Sequence, residues 1–345
     1  MKTAANAPST VDPPAPASFA EKGRDKWGAL QGVHWGDKIF HYTTGTFAIL
    51  VLALPLLMMV MLIAASRLSI TNFGPAFLVD TQWDPVREEF GALPFIFGTV
   101  VSSLLALLLA VPVSLGLAIF LSELCPKKLR KPLGFFSELL AAIPSVVYGF
   151  WGIFVMLPWL RDSVQPALAR WFGFLPIFQG QALGFGMLAA AMILAIMIVP
   201  TIASISRDVL RAVPDTEREA AIALGATPWE TIRHAVLPMA KSGILGAVIL
   251  GLNRALGETM AVTMVIGNRP KISASLFDPS HSMASVIANE LIEAEKDIHV
   301  SSLSQIALLL FGVALVMNLG ARWLVSGVKR RAAKITASVK LETSK

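Results

Sequence analysis

Long stretches without Asp, Glu, Lys, Arg or His dominate the pattern of hydrophobic and polar positions along the chain. Five such runs cover residues 42–66, 91–122, 139–160, 171–206 and 300–321. Each is long enough for an α-helix to cross roughly 30 Å of hydrocarbon, which takes about 20 residues. A sixth run, residues 242–268, is interrupted only by Arg254 and Glu258. The pattern predicts an all-α, polytopic membrane protein with about six transmembrane helices.

The composition agrees with a chain that needs lipid. Of its 345 residues, 55% are hydrophobic and only 15% are charged, whereas soluble domains carry about 25% charged residues. A large soluble protein with buried helices is the alternative. Apolar runs this long and this numerous would leave too little polar surface to dissolve such a protein, so we set that alternative aside.

The net charge of +6 could indicate nucleic-acid binding, but the basic residues cluster at the ends of the apolar runs. They are Lys22, Arg24, Lys26 and Lys38 before the first run, Lys127, Lys128, Arg130 and Lys131 after the second, Arg207, Arg211, Arg218, Arg233 and Lys241 after the fourth, and Lys329, Arg330, Arg331 and Lys334 after the last. The alternate connections carry acidic residues instead, among them Asp80, Asp84, Glu88, Glu89, Asp278, Glu290, Glu293, Glu295 and Asp297. Because Lys and Arg are enriched in cytoplasmic loops, we expect a multi-pass protein of the bacterial inner membrane with both termini in the cytoplasm.

These patterns divide the chain into four parts. Residues 1–40, rich in Ala and Pro, are expected to form a disordered cytoplasmic tail, and residues 41–93 the first transmembrane helix and a periplasmic segment. We interpret that first helix as an accessory helix. Residues 94–328 are expected to form the main transmembrane domain with a cytoplasmic loop at 214–238, and residues 329–345 a basic cytoplasmic tail.

Two short helices are predicted in the loop at 214–238. Thr216 and Glu219 have the spacing of a capping box for the first helix, and Gly225 is placed to end it. Thr227 and Glu230 fit a second capping box, with Pro228 at the first helical position. The first helix has small residues at Ala220, Ala221 and Ala223, which would let another protein surface approach closely.

The chain lacks a sequence for binding ATP, since no G-x-x-x-x-G-K-[ST] motif occurs in it. We therefore expect no enzymatic activity, no cofactor and no metal site in this chain, and we expect energy for transport to come from a partner or an ion gradient.

The two charged residues inside the sixth run, Arg254 and Glu258, are spaced four apart. On a continuous helix they would lie on one face and could pair. A charge at mid-membrane costs roughly 2.5–3.5 kcal/mol even on the lenient insertion scale, so such residues usually face the bundle interior or a water-filled route. A guanidinium matches the oxygens of a tetrahedral anion, which makes an oxyanion substrate plausible. An ion pair that only holds helices together is the alternative.

The loop residues resemble a known motif. Glu219-Ala220-Ala221, Gly225 and Leu237-Pro238 resemble the EAA loop of ABC-transporter permeases, although Ala235 stands where that family usually has Ile. The resemblance implies a MetI-like type I ABC importer permease fold. It also implies that the first loop helix sits in a cleft of a separate ATPase subunit.

The segment from Arg254 to Thr263 resembles the signature of phosphate permeases of ABC importers. So do the stretches at residues 91–93, 110–114, 138–149 and 195–200, and the resemblance extends over roughly residues 73–329. It implies that Asn253, Arg254, Glu258 and Thr259 line the substrate pathway. The partners it implies are a PstA-like second permease subunit, two PstB-like ATP-binding subunits and a PstS-like periplasmic phosphate-binding protein.

Several alternatives stay open at this point. The chain could be the PstA-type sister subunit, although residues 288–290 and His299 match the other of the two paired permeases better. It could be an ABC permease for another oxyanion such as sulfate or molybdate. An ion-coupled secondary transporter is less favoured, because such transporters usually contain inverted repeats and none is visible here. A non-transporting membrane sensor or scaffold is the remaining class.

Overall fold

The computed structural model describes the backbone of residues 34–342 and the side chains of residues 35–323. Its α-helices are α1 (His34–Ala65), α2 (Arg67–Phe73), α3 (Leu93–Ile119), α4 (Lys127–Ala142), α5 (Ser145–Trp151), α6 (Leu157–Trp159), α7 (Gln165–Phe172), α8 (Met187–Arg211), α9 (Asp215–Ala223), α10 (Pro228–Thr231), α11 (Leu237–Leu256), α12 (Met260–Val265), α13 (Met283–Glu290) and α14 (Asp297–Glu342). Two 3₁₀ turns, Gly74–Leu78 and Pro176–Phe178, and an antiparallel pair of two-residue strands, β1 (Trp83–Asp84) and β2 (Glu89–Phe90), complete the described chain with four π-turns. The all-α prediction is confirmed.

Within the described residues, five helical segments are long and apolar enough to cross a membrane. They are Trp35–Ala65, Leu93–Leu124, Met187–Arg211, Pro228–Leu256 and Asp297–Trp323. A sixth span results if Lys127–Ala142 and Ser145–Phe172, which meet at a bend of 90°, are counted as one. The prediction of about six membrane-crossing segments is therefore confirmed, with one of them sharply bent.

The described residues divide into two compact units, residues 34–60 and residues 61–342. None of the residues in the most apolar window of Trp35–Ala65 is buried, as a lipid-facing helix requires. Helix α1 begins at His34, inside the range predicted for the disordered tail, and the rest of that tail lies outside the described residues. The backbone of α14 likewise continues through Glu342 into the range predicted for the basic tail.

The four π-turns share one sequence feature: each ends two residues before a proline. The pairs are Phe120–Leu124 with Pro126, Gly152–Met156 with Pro158, Leu160–Val164 with Pro166, and Ile232–Val236 with Pro238. A proline inside a helix lacks an N–H, and its ring clashes with the carbonyl one turn earlier. A wider turn before the proline relieves that clash. At three of these four sites the helix therefore continues through its proline.

The second unit is built around α8, of whose most apolar window 67% is buried. Helices α3 and α11 pack against it through small residues, including Ala106 and Ala110 of α3 and Ala247 of α11, all fully buried. Small side chains let helix backbones approach closely in membranes, where packing rather than water exclusion holds helices together. The central helix therefore fixes the positions of its neighbours.

Two of the five uninterrupted apolar runs do not form single helices. The run at 139–160 breaks where Ile143 and Pro144 adopt extended backbone, because a proline disfavours the helical conformation of the residue before it. The run at 171–206 begins in the last turn of α7 and continues as a loop with one 3₁₀ turn, and α8 starts only at Met187. The buried side chain of Gln165 anchors this loop by accepting a hydrogen bond of 2.9 Å from the Gly184 amide.

Candidate coupling loop and intramembrane polar site

The first helix of the loop, α9, ends as its sequence predicts. Gly225 has φ +85°, a left-handed conformation that glycine adopts without strain. Its N–H donates to the Ile222 carbonyl at 2.9 Å, and the Ala226 N–H donates to the Ala221 carbonyl at 3.1 Å. This double closure is a Schellman motif, which satisfies carbonyls that the end of the helix would otherwise leave free.

The start of α9 differs from the prediction. The helix begins at Asp215, directly after Pro214, and no side chain caps it. Thr216 therefore lies inside the first turn, where it cannot act as the N-cap. The predicted capping box of Thr216 and Glu219 was wrong.

The second capping box is confirmed. Thr227 Oγ1 accepts from the Glu230 amide, and the Glu230 carboxylate accepts from the Thr227 amide at 2.8 Å. Pro228 occupies the first helical position, as predicted. The helix that begins here is not short, however, because the π-turn before Pro238 lets it continue to Leu256 as one membrane-spanning segment.

The surface of α9 is largely free. Glu219, Ala220 and Ala223 are exposed, and Ala221 is half-buried. Apolar side chains that sequence reasoning missed extend this surface: Leu224 is 90% exposed, Ile222 59% and Trp229 58%. Contiguous exposed apolar side chains on a polar segment mark an interaction site. Their position outside the apolar runs is the signal that could have identified them.

Leu237 and Pro238, predicted as loop residues, lie instead in the membrane-spanning segment that follows. Leu237 packs against a buried cluster that contains Leu210, Val213 and Val236. Pro238 is exposed. The end of the predicted loop is therefore held against the C-terminal end of α8.

Arg218, which sequence reasoning did not select, fastens α9 to the membrane helices. Its Nη2 lies 3.0 Å from Glu123 Oε1, and the two side chains are only 18% and 13% exposed. It also donates to the carbonyls of Val213 at 2.6 Å and Leu210 at 2.9 Å, at the end of α8. The hydrogen bond that Arg218 donates to the Glu123 carboxylate raises the pKa of the Arg218 guanidinium above its ordinary value. The Arg218 side chain thus links α9 to the C-terminal ends of the segments that contain α3 and α8.

Arg254 lies at a helix end inside the membrane domain. Its Nη1 donates to Thr201 Oγ1 at 3.0 Å, and Nη1 and Nη2 both reach the Ala141 carbonyl at 3.4 Å. Ala141 belongs to the last turn of α4, where carbonyls lack helical partners and the helix dipole is negative. The neighbouring Leu140 carbonyl accepts from the Tyr148 hydroxyl at 2.8 Å. The side chains of Arg254 and Tyr148 therefore bind carbonyls at the C-terminal end of α4.

The predicted pairing of Arg254 with Glu258 was wrong. Helix α11 ends at Leu256, so Glu258 lies beyond it and does not share a face with Arg254. Glu258 Oε1 instead accepts from the Ala261 amide at 3.4 Å, at the start of α12. Thr259, half-buried, lies in the break between the two helices, and Asn253 is exposed on α11.

The two spans that contain a helical break, α4 with α5 and α11 with α12, meet beside Arg254. A Cβ built on Gly149 of α5 would lie 3.3 Å from the Ala261 Cα of α12 and against Met264. Backbone that is not helical at membrane depth is tolerated only where protein covers it or where it lines a water-filled cavity. In transporters such breaks also mark binding sites. The predicted pathway residues thus lie at the kind of backbone irregularity that transporters use.

A polar cluster lies at the opposite end of the second unit. It contains Glu290 and His299, two residues whose sequence context resembles one of the two paired phosphate permeases. Glu290 Oε2 accepts from Trp83 Nε1 at 2.9 Å and lies 2.9 Å from His299 Nε2. Phe90 stacks on the His299 ring. This cluster joins the small sheet to α13 and α14, and the sequence contained no spacing that predicted it.

A protein-family model described as "Binding-protein-dependent transport system inner membrane component" matches residues 110–330 of the chain. Among curated proteins, the chain is 48% identical over 299 residues to the "Phosphate transport system permease protein PstC" of Mesorhizobium japonicum, covering 86% of this chain and 91% of that protein. It is 45% identical over 302 residues to the PstC protein of Pasteurella multocida, covering 86% and 94%.

Solved structures show the same fold at low sequence identity. A bacterial ABC transporter involved in the import of the acidic polysaccharide alginate aligns with a TM-score of 0.57 at 17% identity, covering 85% of this chain and 98% of that chain. The MetNI methionine ABC transporter in an inward-facing conformation aligns with a TM-score of 0.51 at 19% identity, covering 68% and 94%. The MetI-like type I importer permease fold is therefore confirmed.

Proposed function

The chain belongs to the family of binding-protein-dependent transport system inner membrane components and, within it, to the PstC phosphate transport permeases, and on that premise we propose that it is the transmembrane permease subunit of an ATP-driven importer of inorganic phosphate. The observation that carries the proposal is the exposed surface of α9, fastened to the membrane helices by Arg218. A permease without its own ATP site needs such a surface to receive mechanical work.

The partners follow from this assignment. A PstA-like second permease subunit completes the translocation pathway, and two PstB-like subunits hydrolyse ATP outside this chain. A PstS-like periplasmic protein delivers phosphate. In this arrangement α9 occupies a cleft of one ATPase subunit through Glu219, Ala220, Ala221 and the exposed Leu224. The basic residues that flank the membrane spans support an orientation with both termini in the cytoplasm.

Coupling runs from α9 into the membrane domain. When ATP closes the two ATPase subunits, each coupling helix moves with its cleft, as in other domain-closure transitions. Arg218 conveys the movement to the ends of α3 and α8 through Glu123 and the Leu210 and Val213 carbonyls. Because α8 packs on α3 and α11 along its length, its displacement changes the contact between the two broken spans.

Phosphate passes Arg254, Asn253, Glu258 and Thr259 in this proposal. Arg254 is held by a hydroxyl and a carbonyl, both neutral, so its positive charge remains available to an anion. Guanidinium groups bind phosphate oxygens through charge-assisted hydrogen bonds. Glu258 lies next to this route and would disfavour prolonged binding of an anion. A role of Arg254 in packing alone is the competing interpretation.

Uptake by vesicles tests the cargo. We expect membrane vesicles containing the complete transporter and its binding protein to accumulate radiolabelled phosphate only when ATP is present inside. Excess sulfate or molybdate should leave the rate unchanged, whereas excess unlabelled phosphate should suppress it. Suppression by sulfate or molybdate would contradict the phosphate assignment, and uptake driven by an ion gradient without ATP would contradict the ABC assignment.

Co-purification tests the coupling loop. Glu219→Lys reverses a charge on the exposed face of α9, and Gly225→Asp disturbs the turn that ends it, so both variants should lose the ATPase subunit while still inserting into the membrane. Glu217→Lys makes the same charge change on the same exposed helix and serves as the control. If Glu219→Lys retains the ATPase as well as Glu217→Lys does, the docking assignment is wrong.

A further inference from the structure

A cavity of about 480 Å³ lies between α4 and the C-terminal end of α8, at the end of the helix bundle that leads into the coupling loop. We call it the basic cavity. It is lined by Arg130, Lys131, Gly134, Phe135, Glu138, Arg207 and Arg211. Four cationic side chains and one carboxylate give this lining a net charge of +3. None of these residues is among the proposed phosphate-pathway residues or lies on the exposed surface of α9.

The carboxylates present do not neutralise the basic cavity. Arg207, only 5% exposed, lies 2.9 Å from Glu138 and 2.9 Å from Asp208. Arg211 has a single neutral partner among the described residues, the Leu121 carbonyl at 3.4 Å. Arg130, Arg207 and Arg211 therefore bring three guanidinium groups into one space. Such an arrangement is unfavourable unless an anion joins it.

Several guanidinium N–H groups around the basic cavity lack acceptors. Arg130 Nε is buried and has no hydrogen-bond partner, although Nη2 of the same side chain reaches the Cys125 carbonyl at 3.4 Å. Arg207 bonds through Nε and Nη2, and its Nη1 has no acceptor in the described part of the chain. A buried donor without an acceptor, such as Arg130 Nε, is uncommon, since it costs the full desolvation of the group. A ligand with several strong acceptor oxygens would satisfy these N–H groups.

Gly134 makes room for this arrangement. A Cβ built on Gly134 would lie 2.8 Å from Arg207 Nη1, so a larger residue here would make the end of the Arg207 side chain shift away from α4. The close approach keeps Nη1 of Arg207 on the α4 side of the basic cavity. Arg207 is thus positioned by the backbone of α4 as well as by its ion pairs.

Helix α4 also carries exposed apolar side chains. Phe135, which lines the basic cavity, is 62% exposed, and Leu139, one turn further, is 51% exposed. Lys127, Lys128, Arg130 and Lys131 share this helix. A helix with a basic side and an exposed apolar side lies in the membrane interface and binds anionic lipids. An isolated anion would account for the guanidinium groups but not for the exposed apolar side.

We propose that the basic cavity binds the phosphate group of an anionic phospholipid in the leaflet that faces the coupling loop. The phosphate group accepts from the guanidinium groups of Arg130, Arg207 and Arg211, and an acyl chain lies along Phe135 and Leu139. The site does not depend on which solute the protein transports. A bound lipid at this position would brace α4 against α8 directly beside the helix end that carries α9.

Native mass spectrometry of the purified complex tests the site. The complex is delipidated and titrated separately with phosphatidylglycerol, phosphatidylcholine and inorganic phosphate. The wild type should retain phosphatidylglycerol preferentially over phosphatidylcholine. Arg130→Gln combined with Arg211→Gln should weaken phosphatidylglycerol retention about tenfold or more, since each basic residue near a membrane surface contributes appreciably to anionic-lipid binding. Arg207 is left intact because its ion pairs join α4 to α8.

The matched control is Lys127→Gln combined with Lys128→Gln, which removes the same charge from the same helix outside the basic cavity. Retention of phosphatidylglycerol should be unchanged in this control. Arg130→Gln alone serves as a second variant, because it removes the buried donor with no acceptor and only one long hydrogen bond. It should weaken retention severalfold.

Three results would overturn the proposal. The first is equal loss of phosphatidylglycerol in the cavity variants and in the lysine control. The second is binding of inorganic phosphate that depends on Arg130 and Arg211 while phosphatidylglycerol binding does not. The third is retention of the lipid only when the ATPase subunits are absent, which would assign the basic cavity to an acidic side chain of the partner.

Discussion

Arg218 and Arg254 both donate hydrogen bonds to carbonyls at a helix end, but their other partners differ. Arg218 reaches the last carbonyls of α8, and Arg254 reaches the carbonyl end of α4. In both cases a cation satisfies a helix end, where free carbonyls and the helix dipole favour positive charge. Arg218 is also paired with the carboxylates of Glu123 and Asp215. Arg254 has the neutral Thr201 hydroxyl in their place.

This difference gives the two arginines different roles: Arg218 holds helices together, whereas Arg254 can bind an anion. A guanidinium neutralised by two carboxylates has little attraction left for a further anion, and it holds its helix firmly. A guanidinium held only by neutral oxygens keeps its charge, and in the low dielectric of a membrane domain that charge acts strongly on a passing anion. Arg254 is half-buried, and no carboxylate pairs with it in the described part of the chain. Withdrawing a charge from water without a counter-charge is costly, so this environment favours an anionic ligand.

Removing the unpaired cation should have the largest effect. We expect Arg254→Ala to reduce phosphate uptake about 100-fold, since losing charge-assisted hydrogen bonds removes roughly 1.5–3 kcal/mol. The complex should still assemble, because Arg254 joins helix ends only by one short and two long hydrogen bonds. Uptake by vesicles and co-purification of the subunits measure the two quantities.

Arg254→Lys is the control for this change. It keeps a positive charge without the fork that can bind two oxygens at once, so we expect intermediate uptake. Normal uptake by Arg254→Ala would show that the residue serves packing alone, and the contrast with Arg218 would disappear.

Replacing Arg218, which holds α9 to the membrane helices, should have the next largest effect. It should impair coupling rather than anion binding. In Arg218→Ala the carboxylate of Glu123, 13% exposed, loses its partner, at a cost of up to about 3 kcal/mol. We expect uptake to fall about tenfold, with ATP hydrolysis continuing, because α9 still docks but no longer moves α3 and α8. Parallel assays of hydrolysis and uptake would show this uncoupling.

The double variant Glu123→Ala with Arg218→Ala tests whether the pair acts as a unit. Thermal stability should recover in part, because no unpaired carboxylate remains, whereas uptake should stay low. Additive loss of stability in the double variant would mean that the two side chains act independently.

The same two regions differ in how far the sequence predicts them. Gly225 and the Thr227–Glu230 capping box act on residues nearby in the chain, so their roles could be predicted from spacing alone. The error at Thr216 arose locally, because Pro214 starts the helix without a side-chain cap. Arg254 instead contacts Ala141, 113 residues away, and Thr201, 53 residues away. No local pattern contains those contacts.

The helical break has a similar explanation. Six apolar runs predicted the membrane-crossing segments, but the position at which a run stops being helical depends on prolines and on neighbouring chain segments. The predicted pairing of Arg254 with Glu258 assumed a continuous helix, and the break after Leu256 removed its basis. Arg218 was missed because its partner Glu123 belongs to a helix 95 residues away.

A smaller effect is expected where local geometry rather than charge is disturbed. Gly225→Val places a β-branched residue at φ +85°, which costs roughly 1–2 kcal/mol. A Cβ at this position would meet no atom within 4 Å, so backbone strain is the whole effect. We expect the amount of ATPase subunit that co-purifies to fall about fivefold.

Gly225→Asn adds a side chain at the same place but tolerates the left-handed conformation. It should retain most of the ATPase subunit. Equal loss with Asn and Val would mean that the added side chain clashes with the partner, and the turn itself would then not be the determinant.

The smallest effect distinguishes holding Arg254 from binding the anion. Thr201→Val removes the hydroxyl that accepts from Arg254 at 3.0 Å and leaves the Ala141 carbonyl in place. Because the guanidinium keeps its charge and loses only one neutral acceptor, worth about 0.5–1.5 kcal/mol, we expect uptake to decrease about threefold. Thr201→Ser retains the hydroxyl and should transport normally. If Thr201→Val abolished uptake as completely as Arg254→Ala, the hydroxyl would itself contact phosphate, and the neutral support that distinguishes Arg254 from Arg218 would be part of the pathway.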